Sequence, residues 1–203
     1  MDNLTNSIDQ VVQENVLPHE WSKEVIAELK NLEVKNNKRD DLRKIPFVTI
    51  DGKDAKDFDD AVFCEFNKDG FNLQVAIADV AEIVRQDSFI DKEALLRGTS
   101  IYFPKRVIPM LPEEISNNLC SLIPNEDRNV LVCKINYSKE GEINSYEFSE
   151  AVIHSHKRFT YNEVEFIKQN KDINLSAEIL RSLDALEKLT KKLLYNRSKR
   201  YAL

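Results

Sequence analysis

Five aspartates crowd the run Thr49-Ile50-Asp51-Gly52-Lys53-Asp54-Ala55-Lys56-Asp57-Phe58-Asp59-Asp60-Ala61-Val62. Two unit charges about 4 Å apart repel by roughly 1 kcal/mol in water and about 4 kcal/mol at an effective dielectric of 20. Carboxylates packed this densely oppose folding unless something neutralises them, and a bound divalent cation does so. Mg²⁺ and Mn²⁺ take carboxylate oxygens and water, whereas zinc favours the Cys and His that the run lacks. Two blander readings compete. A short charge run is usually a solvated loop. A helix-loop-helix calcium site fails on spacing: counted from Asp51, its sixth position is Lys56 instead of Gly and its twelfth Val62 instead of Glu, and counted from Asp57 these are Val62 and Lys68.

The flanks determine how the acids are displayed. Residues 45–50 (Ile-Pro-Phe-Val-Thr-Ile) and 61–66 (Ala-Val-Phe-Cys-Glu-Phe) are short β-branched and aromatic runs of strand type. The acids therefore lie on a strand-to-strand connection, with Gly52 expected to permit a tight bend beside Asp51. Side chains alternate along a strand, so Asp57 and Asp59 are expected to share one direction and Asp60 to take the other. That arrangement favours acids curled around an ion.

The run resembles the catalytic signature of the RNB-domain exoribonucleases, the family of bacterial ribonuclease II and ribonuclease R, on the ribonuclease R branch. Further matches follow in order: Leu17-Pro18-His19-Glu20-Trp21 before it, then Ile77-Ala78-Asp79-Val80-Ala81, then residues 99–112 (Thr-Ser-Ile-Tyr-Phe-Pro-Lys-Arg-Val-Ile-Pro-Met-Leu-Pro), then Leu119-Cys120-Ser121-Leu122 leading to Asp127-Arg128, and finally Arg158-Phe159-Thr160-Tyr161. Six ordered matches across most of the chain are far more specific than any one of them.

The resemblance implies Mg²⁺-dependent 3'-to-5' hydrolysis of single-stranded RNA to 5'-monophosphates, with Mn²⁺ as the alternative ion and DNA not expected as a substrate. Asp51, Asp57 and Asp60 match the family's metal-holding acids, and Asp59 matches the acid whose loss abolishes cleavage without abolishing RNA binding. Asp54 is not one of the usual four. Tyr102 matches an aromatic that packs near the 3'-terminal nucleotides, although by its residue type alone it reads as a strand tyrosine packing on a core. Two ions roughly 3.5–4 Å apart suit such chemistry and need acidic oxygens to hold them.

The formal net charge is −6, from 29 Lys plus Arg against 35 Asp plus Glu, and lacks the basic footprint usual in RNA binding. The family collects RNA with OB-type modules on either side of the catalytic domain, for which this chain has no room. The expected organisation is a helical linker over 1–44 and the N-terminal half of an RNB domain over 45–203, read as truncated or split. The family's later helices, second stacking aromatic and phosphate-contacting arginine then belong to a missing C-terminal half. A fragment that binds metal or RNA only with that half is the alternative to an active nuclease.

The expected fold is α+β, with mostly antiparallel strands and packed helices. Residues 2–16 read as polar and disordered, Ser22 opens an amphipathic helix, and residues 35–44 form a charged linker. A strand is expected over 72–79, a helix between Ser88 and Gly98, an extended stretch over 101–112 and a short helix over 113–121. A hairpin turning at Glu140-Gly141 follows, then a helix capped by Thr160 and Glu163. Ser176 opens the longest periodic segment, whose stripe Ile179, Leu183, Leu186, Leu189 and Leu193 is expected to bury against the domain. Cys64, Cys120 and Cys133 lack CxxC spacing and read as buried reduced thiols. His154 and His156 have no acid or Cys nearby at zinc spacing. With no apolar run long enough for a signal peptide or a span, a cytoplasmic location is expected.

Overall fold

The structure is a computed structural model that describes residues 3–32, 38–104, 106–170 and 175–200. In chain order the elements are α1 (Asn3–Glu14), α2 (Lys23–Leu29), β1 (Asp40–Asp41), β2 (Val48–Asp51), β3 (Asp60–Asn67), β4 (Gly70–Ala78), α3 (Val80–Ile83), α4 (Phe89–Arg97), β5 (Ile101–Phe103), β6 (Arg106–Ile108), a π-helical turn (Ile115–Leu119), β7 (Asp127–Tyr137), β8 (Ile143–His154), β9 (Lys157–Thr160), α5 (Tyr161–Asn170) and α6 (Ala177–Lys199). The α+β class is as expected. These elements form two compact units, one from residues 1–35 and 80–119, the other from 36–79 and 120–203.

The larger unit is a seven-stranded sheet in the order β1-β8-β7-β4-β3-β2-β9. Its interior pairings are antiparallel, and the two edge pairings, β1 with β8 and β2 with β9, are parallel. Helix α6 covers one face. Its stripe buries Ile179, Leu183 and Leu189 against Val48, Phe159, Cys64, Phe71 and Tyr137, each fully buried aliphatic side chain stabilising by about 1.5–3 kcal/mol before entropy is counted. β2 pairs with β3 only at Val48↔Val62, and further along β3 the Cys64 N–H donates instead to the buried Ser182 hydroxyl of α6 (2.9 Å). Gly70 turns the β3–β4 hairpin at φ +136°, where a Cβ would stand 2.0 Å from the Tyr137 carbonyl oxygen.

Local signals place the helix ends. Ser176 accepts the Ile179 N–H at 3.2 Å, and Thr160 and Glu163 form a reciprocal box in which each side chain accepts the other's backbone N–H. In the smaller unit Ser88 accepts the Asp91 N–H and Gly98 closes α4 in the left-handed conformation at φ 71°. The Glu28 carboxylate of α2 takes the first free N–H groups of α4, those of Phe89 and Ile90. Trp21 lies under the Arg97 guanidinium, 3.5 Å from its ring centroid.

Three local expectations are corrected. Residues 3–14 are helical instead of disordered, because Ile8 and Val12, one helical turn apart, bury against Ile108, Ile101 and Phe103. Asp40 and Asp41, expected in a linker, pair as a short parallel strand with Ala151 and Val152. Gly52 does not adopt a positive φ, so its conformational freedom is not what makes the bend. His154 and His156 join no metal-holding group among the described residues, and the β7–β8 register sets His154 opposite the distant Asp127, with Nδ1 2.9 Å from Oδ1. Among the described residues no helix is long and apolar enough to cross a membrane.

Candidate active site

Asp51 closes β2 and Asp60 opens β3, and residues 52–59 form the loop between them. Asp57 and Asp59 are therefore not in a strand, and alternation of side chains governs only from Asp60 onward. Phe58 is buried between the half-buried Asp57 and the exposed Asp59. An apolar anchor flanked by two acids forces both carboxylates outward once the ring is sequestered. Three backbone bonds tie down the anchor: Phe58 N–H donates to the Ser121 hydroxyl (3.0 Å), Phe58 carbonyl accepts from Leu122 N–H (2.9 Å), and Asp59 carbonyl accepts from Ala78 N–H (2.9 Å).

Two side chains distant in sequence hold the loop. Ser121, wholly buried, also donates its hydroxyl to the Lys56 carbonyl (2.9 Å). Arg158 of β9 donates from Nη2 to the carbonyls of Gly52 (2.8 Å) and Lys53 (2.9 Å), and its guanidinium lies 5.2 Å from the Phe58 ring centroid. Neither was singled out by residue type, although both fall within the sequence matches above. The β2–β9 register Asp51↔Thr160 and Thr49↔Arg158 explains why Arg158 arrives at the end of β2.

The carboxylates feel one another. Asp51 is held above the ordinary carboxyl range by burial first, then by the charge of Asp60 and, less strongly, of Asp57 and Asp59, with Arg158 opposing. Asp59, though its residue surface is exposed, is likewise pulled up by partial desolvation of its carboxyl and then by Asp57 and Asp60. The Cys120 thiol is pushed up to about 11 by burial and then by Asp59 and Asp79. Among the described residues, no three His, Cys, Asp or Glu side chains are arranged to hold a metal ion. The oxygen-only donor set nevertheless fits Mg²⁺ or Mn²⁺ in chemistry, and the mutual repulsion of Asp51, Asp57, Asp59 and Asp60 is the penalty such an ion would relieve.

Other candidates are accounted for differently. Asp54 is exposed on the loop. Asp79 is committed to the buried Arg39, Nη2 to Oδ2 at 2.6 Å, and so serves a structural pair. Tyr102 lies on β5 in the smaller unit, 71% exposed, which leaves its ring open and contradicts the core-tyrosine alternative. Cys64 and Cys120 are buried free thiols, as expected, while Cys133 is only half-buried.

Residues 39–203 match the RNB domain family. Ribonuclease R of Buchnera aphidicola (Schizaphis graminum) is 46% identical over 96% of this chain and 28% of its own length, and that of Escherichia coli 45% identical over 91% of this chain and 24% of its own. The chain therefore spans less than a third of either relative. Among solved structures, Mycoplasma genitalium RNase R in complex with double-stranded RNA superposes with a TM-score of 0.92 at 36% identity, covering 98% of this chain and 36% of the other.

Proposed function

The chain belongs to the RNB-domain family, and from that premise we propose that it forms the N-terminal half of the catalytic domain of a Mg²⁺-dependent 3'-to-5' exoribonuclease. The observation that carries the reading is the acidic loop: four aspartates whose charges reach one another, displayed on a loop tied down by hydrogen bonds from Ser121 and Arg158, with one opposing cation acting on Asp51. The substrate is single-stranded RNA, released as 5'-monophosphates, and a cytoplasmic place of action belongs to the same reading. Residues 45–203 are the catalytic part, and 1–44 lead into it.

Each residue then has a role. Asp51, Asp57 and Asp60 supply oxygens to hold the ion, with Mn²⁺ the alternative to Mg²⁺. Bound there, the ion would lower the pKa of a water and offset charge on the leaving 3'-oxygen. Asp59 is not needed as a holder, and burial with the neighbouring Asp57 and Asp60 pulls its carboxyl up from the ordinary range, which makes it the better proton acceptor of the group. The exposed Tyr102 ring offers a stacking platform contributing about 1–3 kcal/mol per base regardless of sequence.

One observation favours a second reading, in which this chain is catalytically incompetent and binds metal or RNA only with its C-terminal half: no three acids among the described residues are arranged for an ion. The remaining groups then come from the C-terminal half and the OB-type modules. Digestion of a 5'-labelled single-stranded RNA by this chain in Mg²⁺, beside an Asp59→Asn variant, decides between the readings. A ladder shrinking from the 3' end only with the parent supports the nuclease. No ladder from a folded chain supports the second reading.

A further inference from the structure

We infer that Ser121 and Arg158 are the positioning residues of the acidic loop, two clamps that hold its opposite ends so that its carboxylates stay near one another against their mutual repulsion. The inference rests on the reading of the aspartates as ion holders and assigns what keeps them in place.

The loop needs such clamps. Residues 52–59 link two strands that pair with each other only at Val48↔Val62, so the ladder between β2 and β3 stops short of the loop and does not close it. Repulsion among four carboxylates would splay a loop held only at its ends. Ser121 blocks this at residues 56–58, because one hydroxyl both accepts from Phe58 N–H and donates to the Lys56 carbonyl. Ser121 is itself pinned: Arg128 Nε donates to its carbonyl at 2.9 Å, and its side chain has no exposure. Arg158 does the same at residues 52–53, through a single nitrogen shared between two carbonyls. Its Nε is buried without a hydrogen-bond partner, a cost that the grip on the loop must offset.

The two clamps act on different acids. Ser121 brackets Asp57 and fixes the backbone leading into Asp59, whereas Arg158 fixes the residues just after Asp51. A lysine at 158 keeps the charge but lacks the planar fork. An alanine at 121 keeps the volume nearly unchanged but loses both hydrogen bonds.

The test uses Ser121→Ala and Arg158→Lys in the whole chain, read by Mn²⁺ titration calorimetry and by amide hydrogen exchange without metal. The expected result is a 10- to 100-fold loss of Mn²⁺ affinity in each, the usual size for residues that orient ligands. Exchange should accelerate over 56–60 in Ser121→Ala and over 52–55 in Arg158→Lys, with β4 and β7 protected as in the parent. A purely structural role would speed exchange throughout the sheet in both variants, and that result overturns the inference. Variants that bind Mn²⁺ like a binding parent overturn it while leaving the aspartate reading intact. A parent that takes up no Mn²⁺ overturns both.

Discussion

Two acidic gatherings sit on the same sheet and behave in opposite ways. At the edge where β1, β8 and β7 meet, Asp41 and Asp127 share Arg43, with Arg43 Nη2 2.8 Å from Asp41 and Nη1 3.1 Å from Asp127, and His154 meets Asp127 from the facing strand. Hydrogen bonding from Arg43 holds Asp41 well below the ordinary carboxyl range, His154 and then Arg43 hold Asp127 low, and Asp41 raises Arg43 in turn. In the 51–60 loop the signs reverse, and burial and neighbouring acids push Asp51 and Asp59 up. The number of carboxylates therefore does not mark a site. What marks it is whether the fold has already supplied their counter-charge, and only the loop leaves that task to something else.

The strongest way to break this contrast is to remove acids from each gathering in turn. Asp51→Asn with Asp57→Asn should lower Mn²⁺ affinity by at least about 100-fold, whereas Asp41→Asn with Asp127→Asn should change it less than about twofold, as titration calorimetry would read. Equal losses from both pairs would erase the distinction. Saturation offers a second measure. At about 100 times its Kd, Mn²⁺ should stabilise the parent by about 2.7 kcal/mol, or roughly 5–10 °C in thermal unfolding, and should leave the loop double variant unmoved.

Without metal the loop acids should work against folding. Asp51→Asn removes a charge that its neighbours repel, so the metal-free variant should unfold at a midpoint roughly 2–4 °C higher at pH 7. The sign follows from the raised folded-state carboxyl: the folded chain binds a proton more readily than the unfolded one, so lowering the pH through that raised value toward 3.8 stabilises the metal-free parent. Asp51→Asn should flatten that gain. A lower midpoint would mean that Asp51 contributes packing instead of repulsion.

The smallest effect belongs to the edge. Asp127 is lowered in the folded state, so its contribution is present above its ordinary value near 3.8 and is lost as pH falls through the lowered one. Asp127→Asn should remove that acid-range slope and cost only about 0.2–1 kcal/mol at neutral pH, since the pairs are solvent-exposed. Urea unfolding from pH 2 to pH 7 would show it.

Short-range patterns explain what was legible beforehand. A capping box spans three residues, as Thr160 and Glu163 do, and a helical stripe repeats every three or four, as Ile179, Leu183 and Leu189 do, so one window of sequence contains the whole interaction. The same locality misled at residues 2–16. Their polarity suggested disorder, while Ile8 and Val12 had a partner in Ile108, beyond any local window.

The sequence by itself determined the chemistry of the candidate site and most of the elements that carry it. Residue type decides which atoms can hold an ion, and Asp51, Asp57, Asp59 and Asp60 offer only oxygens. The tertiary structure alone decided which acids are already neutralised and what holds the rest in place. Asp79 meets Arg39 across 40 positions, Asp127 meets His154 across 27, and the acidic loop is gripped by Ser121 and Arg158 from 63 and 106 positions away. Those meetings are set by strand register and sheet order, which arise from the packing of the whole unit and leave no periodic trace along the chain.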